Sequence, residues 1–203
     1  MVPEISIYSS AEKRKTGGLL PMRNNNVRAL CFTALMAAMT CVLTFLRIPL
    51  GASKVHLANA MCLLCGLLLG GVRGGVAAGF GSALYDVLWG GYDPLQAAIT
   101  FIMKFAMAWV CAGIAGKKAR MQGSLSRVIP ACIAGALTYV ALYMGKTFLY
   151  QRFVYGFPPD AVWATMLAKL PASLINAAFA VLVAPLIYRV VLPTFRKQNW
   201  IVE

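Results

Sequence analysis

An all-α membrane protein, a bundle of six transmembrane helices, is the fold class this sequence predicts, and three observations predict it. Of its 203 residues 60% are apolar and 12% charged, with a mean hydropathy of +0.72; ordinary globular domains carry about 45–50% and about 25%. The apolar residues fall in runs long enough for a bilayer core, which takes about 20 residues of helix. The 19 Lys and Arg, set against 6 Asp and Glu for a net charge of +13, flank those runs. A nucleic-acid partner is not expected, because such a face needs basic residues clustered on a water-exposed surface.

Residues 1–26 are polar, with Lys13, Arg14, Lys15 and Arg23 and no amphipathic period, and predict a disordered tail. Met22, followed by polar residues and then the first apolar run, is an alternative start. That run, Ala29 to Leu46, carries no charge between Arg28 and Arg47. Its long basic lead and the apolar segments that follow favour a retained span over a cleaved secretory signal. Leu57–Val72 and Gly74–Leu88 are each short for a span and predict a tight helical hairpin joined through the glycines between 70 and 75.

The fourth helix is predicted from Pro94 to Gly116, interrupted by Lys104. The fifth runs from Val128 to Tyr150, opened by Pro130 and interrupted by Lys146. The sixth runs from about Ala161 to Tyr188, interrupted by Lys169 and kinked at Pro171, whose ring removes a ladder hydrogen bond. The chain thus divides into a tail (1–26), a six-helix transmembrane domain (27–190) and a second tail (191–203).

Basic residues distribute unevenly over the loops. One side receives Lys13, Arg14, Lys15, Arg23, Arg28, Arg73, Lys117, Lys118, Arg120, Arg127, Arg189, Arg196 and Lys197; the other receives Arg47, Lys54 and Arg152. The excess of Lys and Arg on cytoplasmic loops places both termini inside a multi-pass plasma-membrane protein. Asp86, Asp93 and Asp160 then fall toward the outer face.

An ionisable side chain within a span costs a few kcal/mol by insertion scales and demands a partner or a wet cavity. Asp86, Lys104, Lys146 and Lys169 are the candidates. At helical spacing Gln96, Thr100 and Lys104 share a stripe, as do Lys169, Ser173 and Asn176; Tyr139, Tyr143, Lys146 and Tyr150 form a third, Ser82 and Asp86 a fourth. All four fall in the outer half of the membrane, with Lys104 about 15 Å deep at 1.5 Å per residue. They predict one shared cavity open to the outside. The competing reading is that each Lys snorkels to the headgroups and that Asp86 marks a helix end.

Small residues recur at spacings that let helices approach closely: Ala34, Ala37 and Ala38 in the first span, Gly66, Gly70, Gly75 and Gly79 in the hairpin. They suit internal packing or the docking of another membrane subunit. The 6 cysteines lie in apolar runs and read as small hydrophobes, the Cys62–Cys65 pair included. Gly145-Lys146-Thr147 imitates the end of a phosphate-binding loop, but Val140 stands where that loop needs Gly. Gly81-Ser82 lacks a histidine on a later span to activate it, His56 being the lone histidine. No catalytic, metal or cofactor site is expected, and energy for any active transport must come from elsewhere.

The order and spacing of Val55-His56-Leu57-Ala58-Asn59, Cys65 to Gly71, Gly81-Ser82-Ala83-Leu84-Tyr85-Asp86, Gly91-Tyr92 and Thr100 to Lys104 resemble the substrate-binding S components of energy-coupling factor (ECF) transporters. The likeness is greatest to the riboflavin and hydroxymethylpyrimidine branch, and it covers Val27 to about Val190. It implies a six-helix protein that captures a vitamin or precursor and joins a membrane coupling (T) subunit and two cytoplasmic ATPases. It further implies that Ala34 and Ala38 dock the coupling subunit and that Ile48–Val55, with Gly51 and Ser53, lids the ligand. Ala58 departs from the family's usual Gly.

The expected substrate contacts are Lys104, Lys169, Asn176 and Asp86 as hydrogen-bonding groups, joined by Thr100, Lys146 and Asn59, with Tyr92, Tyr143 and Trp163 stacking on the ligand. A mostly apolar pocket with a few convergent polar groups suits a heteroaromatic vitamin. A membrane-embedded enzyme acting on lipid, or a non-transporting scaffold subunit, are the alternatives from other classes.

Overall fold

The computed structural model describes residues 25–197 apart from 51 and 52, and the side chains within that range apart from those of Asn25 and residues 47–56. The 1–24 part of the expected first tail and residues 198–203 lie outside the described residues, as does Gly51 of the expected lid. Helix α1 (Asn25–Phe45) leads into a hairpin of β1 (Arg47–Leu50) and β2 (Ser53–His56). The strands pair antiparallel from Arg47 with His56 to Leu50 with Ser53. Then come α2 (Ala58–Leu69), α3 (Gly71–Leu88), α4 (Pro94–Gln122), α5 (Leu125–Leu149) with a π-helical turn at Tyr150–Val154, and α6 (Pro159–Lys197).

Four of these helices, α1, α4, α5 with its π turn, and α6, are long and apolar enough to cross a membrane. The 12-residue α2 works differently, since every one of its residues is buried. Its Leu-rich run is the centre of the bundle: Cys62, Leu63, Leu67 and Leu68 join Met107, Cys111, Val128, Cys132, Ala180 and Ala184 in one core. Continuous hydrophobicity around a short helix marks burial on all sides.

The expected hairpin forms, but its bend is tighter and earlier than predicted. One residue, Gly70, separates α2 from α3, with φ 89°. A side chain there would be strained, and its Cβ would stand 2.9 Å from the Arg120 guanidinium. In α4 the backbone breaks at Gly116 (φ 70°, ψ 155°), where the fourth span was expected to stop. The chain then resumes helix to Gln122, which carries Arg120 into the interior.

Helix α6 passes Pro171, Pro185 and Pro193 and ends at Lys197 instead of near Tyr188. Residues 191–197, expected in the second tail, are held because Leu192 and Phe195 are buried and Phe195 meets Phe32 of α1 edge-on at 4.9 Å. The small residues divide by role. Gly66 lies against the Ala108 backbone, Gly79 against Phe101, Gly75 under the Phe105 ring and Gly81 against Ala37, so the glycines let α3 nest between α1 and α4. Ala34 and Ala38 face outward, exposed on α1.

Candidate substrate-binding cavity

The ends of α1, α3 and α5 and the beginnings of α2, α4 and α6 surround a cavity of about 430 Å³, within the range of small-molecule sites. Every member of the four polar stripes lines it. Helix α3 contributes Ser82 and Asp86; α4 contributes Gln96, Thr100 and Lys104; α5 contributes Tyr139, Tyr143, Lys146 and Tyr150; α6 contributes Lys169, Ser173 and Asn176. The 3.6-residue period explains how, because each stripe repeats along one helix face and the four faces turn to a common axis.

Lys104 is the most enclosed of the charges, 3% exposed. Its Nζ donates to Asn59 Oδ1 of α2 and stands 3.9 Å from the centroid of the Tyr139 ring, a cation–π arrangement. Lys104 therefore does not snorkel. Lys146 lies 5.7 Å from the Tyr150 ring, within electrostatic reach of both Asp86 and Lys169. Tyr139 and Tyr143 stack with centroids 6.1 Å apart and planes 19° from parallel. Exposed Tyr92 and Tyr155 form part of the rim.

Lys104, Lys169, Asn176, Asp86, Thr100, Tyr92, Tyr143 and Lys146 all line the cavity. Two other expected residues do not. Asn59 is 1% exposed and lies behind the wall, where it anchors Lys104. Trp163, 57% exposed, packs its ring toward Phe148 at 6.4 Å; its position on α6 is turned away from that of Lys169.

The structure adds Thr44, Ala58, Tyr85, Met103, Thr147, Gln151 and Tyr155 to the wall. Tyr85, Met103 and Thr147 adjoin stripe residues at three- or four-residue spacing and were legible in principle. Thr44 sits in a charge-free run and bonds back to Thr40 O at 2.7 Å, which hides its polarity. Gln151 and Tyr155 reach the cavity through the π turn, whose wider winding no simple period anticipates. Buried Tyr150 Oη and Gln151 Oε1 have no hydrogen-bond partner among the described residues.

A helical bundle around a polar, tyrosine-rich chamber at one end defines a membrane subunit that holds a small molecule. Residues 24–192 match the family model described as "ECF-type riboflavin transporter, S component", and the chain belongs to that family. A solved structure entitled "Structure and mechanism of the S component of a bacterial ECF transporter" superposes with a TM-score of 0.65 at 18% identity, covering 84% of this chain and 98% of that one. The sequence matches no curated protein. This chain is thus a substrate-binding S component of an ECF-type transporter, a membrane protein whose work is uptake with partner T and ATPase subunits.

Proposed function

We propose that this chain captures a vitamin-like small molecule from the outer side of the plasma membrane. The ligand sits in the chamber formed by Lys104, Lys169, Asn176, Thr100, Asp86, Lys146, Tyr92 and Tyr143. The observation that carries this reading is the convergence of four separately encoded polar stripes on one cavity. Snorkelling lysines would point to the rim individually, whereas Lys104 is buried at the wall. The family description makes a flavin the first candidate ligand, and the stacked Tyr139–Tyr143 pair offers a flat surface to an aromatic ring.

The outward-facing reading rests on charge. Lys117, Lys118, Arg127, Arg189, Arg196 and Lys197 lie toward the helix ends opposite the cavity, and a Lys and Arg excess marks the cytoplasmic side. Both termini then lie inside, where two ATPases would act through the coupling subunit. Ala34 and Ala38, exposed on α1, offer that subunit a ridge of small residues on which a helix can approach closely. The β1–β2 hairpin, between α1 and α2 at the cavity end, supplies the lid.

Native mass spectrometry and thermal-shift screening of the detergent-purified chain against B-vitamins and their precursors test this reading. A ligand with submicromolar affinity, worth about 8 kcal/mol or more, supports capture. Turnover of a ligand by the isolated chain would overturn it in favour of an enzyme.

A further inference from the structure

The cavity has a charge pattern that its aromatic wall does not explain. Among the described residues its lining holds three ammonium groups, Lys104, Lys146 and Lys169, against one carboxylate, Asp86. The carboxylate also sits nearer its helix end than Lys104 and Lys169 do theirs. Asp86 lies two residues from the end of α3, whereas Lys146, followed by the π turn to Val154, is within electrostatic reach of both Asp86 and Lys169. Lys104 and Lys169 each lie ten residues into their helices, α4 from Pro94 and α6 from Pro159, or about 15 Å from those helix starts at 1.5 Å per residue. Among the described residues no lining carboxylate lies at that depth.

The contacts of Lys104 orient its charge without neutralising it, for Asn59 Oδ1 and the face of Tyr139 are both uncharged. A cation in such surroundings is costly unless a counter-charge arrives. Thr100 and Ser173, one turn from Lys104 and Lys169 on the same faces, add hydroxyl donors. Resting on the capture reading above, we propose that the substrate is an anion whose acidic group seats at the deep end of the cavity, between Lys104 and Lys169. The uncharged body of the molecule then lies along the Tyr139–Tyr143 wall toward the mouth. There Gln151 Oε1, a buried acceptor without a partner among the described residues, receives a hydroxyl or amide N–H of the ligand.

The full-length chain in detergent, titrated by calorimetry with matched acid and neutral probes, tests the proposal. The pairs are nicotinate with nicotinamide, pantothenate with pantothenol, and riboflavin 5′-phosphate with riboflavin, which separate carboxylate from phosphate. In at least one pair the acid is expected to bind about 100-fold tighter, the range of a pair of charge-assisted hydrogen bonds. Lys169→Gln should cut that preference about tenfold by the loss of one such bond, and Lys169→Arg should retain it. Lys104→Gln should behave as Lys169→Gln; folding of each variant is checked by its unfolding midpoint.

Neutral probes that bind as tightly as their acids, or tighter, overturn the anion and leave capture standing. An acid preference untouched by both Gln variants in folded protein also overturns the proposed seat. Absence of binding by every probe overturns capture itself, and the anion with it.

Discussion

Lys104 of α4 donates a hydrogen bond to Asn59 of α2, so the charged group in the cavity wall is held by a residue outside the cavity. The bond joins residues 45 positions apart in sequence and couples the central buried helix to the site. Removing either partner leaves the other buried without its bond, which costs about 1–3 kcal/mol or more when the group is charged.

Asn59→Ala is therefore expected to weaken ligand binding about tenfold or more without touching the ligand, measured by calorimetry on folded protein. Asn59→Asp is the sharper variant. It gives Lys104 a permanent counter-ion, and affinity for an acidic ligand should fall further than with Asn59→Ala.

Tyr139→Leu keeps an apolar body of similar bulk but removes the ring face under the Lys104 ammonium. A desolvated cation–π contact contributes up to about 2 kcal/mol. Affinity should fall by roughly 3- to 30-fold, while Tyr139→Phe should stay near the parent value. Equal losses in the two variants would assign the effect to the hydroxyl.

Gly66→Val tests the close approach of α2 and α4. The Cβ of any residue at 66 would collide with the carbonyl of Ala108, a backbone atom that cannot swing aside. Overpacking of this sort costs about 1–3 kcal/mol, and the unfolding midpoint in detergent should fall accordingly. Gly113→Ala, with open space around it, is the control and should cause no comparable loss.

Arg120→Met tests the end of the bundle remote from the ligand. Arg120 Nε donates to Leu67 O at 2.9 Å, satisfying one of the carbonyls that the end of α2 leaves without a helical partner. Loss of that bond should cost about 1–3 kcal/mol of stability. Ligand affinity should change by less than about twofold, because distant sites act independently.

Ala38→Trp adds bulk to an exposed position of α1 that makes no contribution to the cavity. Binding and folding should remain at parental values, while uptake by cells expressing the complete transporter falls sharply. Unimpaired uptake would remove Ala38 from the docking surface.

The polar stripes were legible because helical periodicity is local: Gln96, Thr100 and Lys104 share a face whatever surrounds them. Asn59 and Trp163 lie off the cavity lining for a related reason. Both occupy plausible positions near the cavity end, yet rotation of α2 puts Asn59 behind the wall and rotation of α6 turns Trp163 outward. A helix's rotation about its axis is set by what packs on its other faces, such as Gly66 against Ala108. Gln151 escaped notice because the π turn interrupts the period that would have revealed it.

Composition, charge placement and apolar runs were sufficient to place this chain in a membrane and to pick out its polar helix faces, because bilayer thickness and helical pitch act on short stretches of chain. Packing alone settled that α2 is the buried centre instead of another lipid-facing span. It also settled that residues 191–197 extend α6 through Phe195, that the glycines point inward while Ala34 and Ala38 point out, and that four stripes meet in one chamber. Those outcomes depend on contacts between residues far apart in sequence, where shape fit between whole helices chooses among arrangements that hydrophobicity leaves equivalent.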